Sequence, residues 1–146
     1  MDTDERAVAT AHFTQHATAQ AIANARNWVT AFAEEHGLRP DRRADVALAV
    51  SEAVSNAVRH AYADGDAGKI DVDAATDGEC LTVRIADRGF GHDGATSGLG
   101  FGLPLMAQVT DLLEVGPDAS GTGTVVLMEL DMGAARNGVL RVPFSR

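Results

Sequence analysis

Two eight-residue segments, 69–76 and 80–87, alternate apolar and polar side chains about the turn Asp77-Gly78-Glu79, and this pair constrains the fold most. Ile70, Val72 and Ala74 fall on one face of the first segment, and Leu81, Val83 and Ile85 on one face of the second, because strand side chains repeat every second residue. The pattern predicts a β-hairpin with a single apolar face.

The preceding residues supply helices to cover that face. From Ala17 to Glu35, Ile22, Ala25, Val29 and Phe32 recur at helical spacing, and Gly37 supplies a stop. This predicts a first helix, with Trp28 in its packing. Pro40-Asp41 opens a second, alanine-rich helix to about Tyr62, with Val46, Val50, Ala53, Ala57 and Ala61 on one side. Weak alternation over residues 7–13 predicts a strand ahead of both. After the hairpin come a glycine-rich stretch, Gly89 to Gly102, a short helix from about Leu103 to Asp111, a strand near Leu112 to Val115, and a last strand from Thr122 to Leu130. The order predicts an α+β fold, a two-layer α/β sandwich with helices on one face of a mixed, mostly antiparallel sheet. The 146 residues suit one domain, 1–132, followed by a C-terminal extension, 133–146, that carries Gly133, Gly138 and Pro143.

Charge and composition narrow the function. Twelve Lys and Arg against 21 Asp and Glu give a net charge of -9, which repels nucleic acid unless the cations cluster. Their one knot, Arg39, Arg42 and Arg43, sits beside Asp41 and Asp45. The longest apolar run, Val46 to Val50, is far short of a membrane span, and the acidic start Met1-Asp2-Thr3-Asp4-Glu5 does not resemble a signal peptide. A cytoplasmic protein is expected. The single cysteine, Cys80, forms no internal disulfide and is read as a buried strand residue. His12, His16, His36 and His92 lack metal-ligand spacing and are read as surface residues.

Three places carry candidate chemistry. On the second helix, Glu52, Asn56 and His60 recur every four residues and share a face with Arg59. That face is either solvated or functional: an Asn carbonyl oxygen suits Mg²⁺, and a Glu one turn away can accept a proton from an attacking group. At the end of the hairpin, Asp87-Arg88-Gly89-Phe90-Gly91 reads as a turn or as a nucleobase site. In the second case the carboxylate accepts from an exocyclic amino group, which adenine has, while the glycines let a flat ring approach the backbone. Third, Gly98-Leu99-Gly100-Phe101-Gly102-Leu103 exposes backbone N–H groups at a helix start, a setting for phosphate oxygens. Gly89, Gly91 and Gly94 also spell GxGxxG, but they follow a hairpin and do not lead straight into a helix, so a dinucleotide fold is disfavoured. The sole lysine, Lys69, has no Walker A context.

Taken in order, LAVSEAVSNAVRHAY, DRGFG, GLGFGL and GTGT resemble the N box, the two glycine boxes and the final threonine of the GHKL ATPase superfamily. Within it the chain is similar to the anti-sigma factor serine/threonine kinases of the sporulation and stress-response type, over about residues 7–131. The resemblance implies an ATP site between the second helix, the sheet and a glycine-rich lid. It casts Glu52 as general base and Asn56 as the Mg²⁺ ligand. Asp87, Gly89 and Gly91 would hold adenine, Gly98, Leu99, Gly100, Phe101 and Gly102 would cover the phosphates, and Thr124 would complete the adenine pocket. It implies three partners: a sigma factor held inactive, an anti-anti-sigma (STAS-type) protein as substrate, and a second copy of the chain, joined through the sheet by the N-terminal strand. The chain departs from the sporulation type in its lid, where only His92 to Ser97 separate Gly91 from Gly98 and no Lys or Arg lies between Arg88 and Arg136. Two alternatives to a kinase follow: a non-enzymatic ATP/ADP-gated interaction module, and a detached histidine kinase catalytic domain. The latter is disfavoured because no helical hairpin precedes the N box.

Overall fold

A computed structural model describes residues 8–63, 68–87, 103–117 and 123–133. Strand β1 (Ala9–His16) leads into helix α1 (Ala19–Glu35), and a single 3₁₀ turn, Pro40–Arg42, opens helix α2 (Arg43–Ala63). Strands β2 (Lys69–Thr76) and β3 (Cys80–Asp87), helix α3 (Leu103–Val109), and strands β4 (Leu112–Pro117) and β5 (Thr124–Asp131) complete the described elements. The sheet order is β1-β2-β3-β5-β4, and all four pairings are antiparallel. β3 and β4 therefore run the same way, with β5 between them.

Local chemistry explains the boundaries. Gly37 has φ +104, and its N–H and that of Leu38 close back on Glu34 and Ala33 carbonyls at 3.3 and 3.0 Å. This is a Schellman motif, which satisfies carbonyls that a helix end leaves bare. In the hairpin, Asp77 Oδ1 accepts the N–H groups of Glu79 and Cys80 at 2.9 and 3.0 Å, and Gly78 supplies φ +95. The side chain replaces backbone partners that a three-residue loop cannot provide.

Both helices lie on one face of the sheet, the two-layer arrangement the alternation predicts. Ile70 and Val72, Leu81, Val83 and Ile85, and Val126, Met128 and Leu130 form its buried rows. Above them α1 packs on α2, with Ala21, Ala25 and Val29 of α1 and Val46, Ala49, Val50 and Ala53 of α2 all within 1% of full burial. Alanines on both helices permit close packing. Trp28 is only partly buried, and it bridges layers: its ring centroid lies 4.4 Å from that of Phe13 on β1 and 6.4 Å from that of Phe32.

Two expectations change. Cys80 is half-buried, because its parity places it with Thr82 and Arg84 on the uncovered sheet face. β1 runs to His16 instead of stopping at residue 13, since all eight of its residues find partners on β2, from Ala9 opposite Thr76 to His16 opposite Lys69. The glycine-rich stretch and residues 134–146 lie outside the described residues. No described helix is long and apolar enough to cross a membrane.

Candidate functional site

Helix α2 packs against α1, against the sheet and against α3. Asn56 is only 1% exposed, as buried as its apolar neighbours Ala53 and Val54. Of the two readings of this face, the solvated one therefore fails at this residue. Its Oδ1 accepts a hydrogen bond from the Arg59 guanidinium, and its Nδ2 is buried with no hydrogen-bond partner among the described residues. A buried amide N–H left unpaired costs about 1–3 kcal/mol, so a ligand oxygen arriving there gains that amount. Glu52, one turn earlier, is half-buried, and Arg59 is exposed.

The second polar group is built by the sheet. Asp87 ends β3 on the parity of Leu81, Val83 and Ile85, and so continues the helix-covered row with a carboxylate that is 5% exposed. Its register partners are Ile70 on β2 and Thr124 on β5. Thr124 continues the row of Val126, Met128 and Leu130, and is half-buried. Asp87 and Thr124 are thus neighbours on the covered face of the sheet. A buried carboxylate accepts hydrogen bonds only, which suits a ligand amino group. Gly89, Gly91, Gly98, Leu99, Gly100, Phe101 and Gly102 lie outside the described residues.

The donor chemistry at Asn56 fits a metal–phosphate ligand on both of its atoms. The carbonyl oxygen is a hard neutral donor of the kind Mg²⁺ takes, and the unpaired N–H₂ can give to a phosphate oxygen. No group of three or more His, Cys, Asp or Glu able to hold a metal occurs among the described residues, so a metal here would need oxygen ligands from elsewhere, such as a bound polyphosphate.

Sequence reasoning missed Arg42, whose side chain is 1% exposed. It ion-pairs with Asp45, and its Nε donates to the Asp131 carbonyl at 2.8 Å. Arg39 N–H donates to the Met132 carbonyl at 3.0 Å, so the end of β5 is tied to the start of α2. The only hint was the mixed charge of residues 39–45.

This architecture, helices over an antiparallel sheet with a buried Asn on the second helix and a buried Asp at a strand end, defines a class. The chain belongs to the histidine kinase-like ATPase domain family, whose model matches residues 15–130. Its relatives include an anti-sigma F factor of Clostridium beijerinckii, 31% identical over 118 residues that cover 72% of this chain and 82% of the relative. A serine-protein kinase RsbW of Oceanobacillus iheyensis is 36% identical over 69 residues, 47% of this chain and 44% of that one. Among solved structures, the RsbU and RsbW domains of Rv1364c from Mycobacterium tuberculosis match with a TM-score of 0.66 and 27% identity. That match covers 88% of this chain but 34% of the larger one. The curated relatives are thus named an anti-sigma factor and a serine-protein kinase, and the fold is that of the solved structure.

Proposed function

We propose that this protein is a cytoplasmic, ATP-dependent serine/threonine protein kinase and anti-sigma factor, which phosphorylates an anti-anti-sigma (STAS-type) protein and thereby controls the availability of a sigma factor. The observation that carries the reading is Asn56, an amide buried in an apolar helix surface with an unpartnered N–H, in a chain of the histidine kinase-like ATPase family. The names of its relatives support the rest.

In this reading Asp87 accepts the adenine amino group and Thr124 completes the pocket through its hydroxyl. Gly89 and Gly91 let the ring lie against backbone, and the N–H groups of Gly98 through Gly102, with Leu99 and Phe101 between the glycines, meet the phosphates. Asn56 holds Mg²⁺ through Oδ1. The bound ion supplies charge neutralisation on the transferring phosphoryl group. Glu52 takes the proton of the substrate Ser or Thr hydroxyl as its oxygen forms the new bond to the γ-phosphorus and the bond to the ADP oxygen breaks. Residues 1–132 form the working domain and 133–146 an extension to it.

A second copy of the chain joins through the sheet. Its support is β1, an eight-residue edge strand with no described strand on its outer side and with neither Pro nor Lys to guard it.

Labelled ATP, Mg²⁺ and candidate anti-anti-sigma proteins test the activity, with two variants separating the roles. Glu52→Ala should bind ATP within about threefold of the parent and lose phosphate transfer by about 100-fold or more. Asn56→Ala should lose Mg²⁺-dependent nucleotide binding itself. ATP binding without transfer to any such partner would instead favour the non-enzymatic, nucleotide-gated module.

A further inference from the structure

We propose that Arg59 is a resident counter-cation on Asn56: its guanidinium occupies the carbonyl oxygen that a divalent metal would take, and the metal must displace it to enter. The inference rests on the nucleotide reading above. Arg59 lies three residues after Asn56 on α2, one turn along the same face. One guanidinium nitrogen donates to Asn56 Oδ1, and another donates to Ser55 Oγ at 3.3 Å.

A guanidinium has five N–H donors and no acceptor, so this contact dictates how the amide is turned. The oxygen faces Arg59, and the nitrogen is left buried with no partner among the described residues. The opposite orientation would set N–H₂ against donors. Arg59 thus holds, toward its own exposed side chain, the oxygen of a residue that is 1% exposed.

An oxygen on a residue that is 1% exposed has room for one approaching group, so the guanidinium and a divalent ion compete for it directly. The arginine side chain is exposed and regains water on leaving the oxygen. Arg59 is in this account a positioning residue that sets the metal requirement of the site through Asn56.

The test is a Mg²⁺ titration of ATP binding by metal-stripped protein, read by calorimetry, for the parent, Arg59→Gln and Arg59→Met. Melting midpoints show that the variants are folded. The Mg²⁺ concentration giving half-maximal ATP binding should fall about 3- to 10-fold in both variants, the range of one displaced charge-assisted hydrogen bond partly remade with water. The shift should persist in about 0.5 M KCl, where through-space repulsion is screened. An unchanged or raised Mg²⁺ requirement overturns the proposal while leaving nucleotide binding intact, and so does a shift that salt abolishes. Failure of the parent protein to bind ATP with Mg²⁺ overturns the nucleotide reading and this proposal together.

Discussion

Gly37 ends α1 with φ +104, a left-handed conformation in which a β-carbon is strained although no atom lies within 4 Å of its place. Gly37→Ala should therefore destabilise the protein by about 1–2 kcal/mol in urea unfolding, through backbone strain alone. Cys80 makes a prediction about pH. Partial burial raises its thiol pKa, and the negative charges of Glu129, Asp77 and Asp111 raise it further. Alkylation at pH 8 should be about several-fold slower than for the unfolded chain, since the thiolate is the nucleophile. The same shift means the folded state retains the proton longer, so this group's contribution to stability is complete below the unfolded thiol pKa and is lost as pH rises through the folded one. At this scale the sequence was only partly legible. The spacing of Glu52, Asn56 and Arg59 was plain, but the burial of Asn56 is a product of tertiary packing, which a helical wheel does not contain. Cys80 was misjudged because strand membership was read as burial, whereas its parity turns it away from the helices.

Elements were most legible where local chemistry and pairing agree. The hairpin strands fall at 69–76 and 80–87 as the alternation predicts, because the Asp77-Gly78 turn also fixes the register. Asp77→Ala removes two hydrogen bonds from that turn and should cost about 1 kcal/mol in equilibrium unfolding. β1 extends past the alternation because β2 offers partners to its whole length. The placement of β5 between β3 and β4 was not readable, since strand order is decided by long-range pairing. Between α1 and α2 the alanines are themselves informative: Ala53→Leu adds volume where 1% of the residue is exposed, and should destabilise by about 1–3 kcal/mol.

For the molecule as a whole, the buried polar residues include two that the candidate site uses, Asn56 and Asp87. Asn56 comes from the helical layer and Asp87 from the sheet, and neither would be selected for packing alone. Family membership gives this pattern its meaning, and adenine recognition is the claim on which the kinase, the metal requirement and the role of Arg59 all depend. The direct measurement is calorimetric titration of the full chain with ATP and with GTP, each with Mg²⁺. A site built around the Asp87 acceptor should bind ATP at least about 10-fold more tightly than GTP, because guanine sets a carbonyl against the carboxylate and leaves buried polar groups unpaired. Equal affinity for the two nucleotides, or binding of neither, would contradict the account.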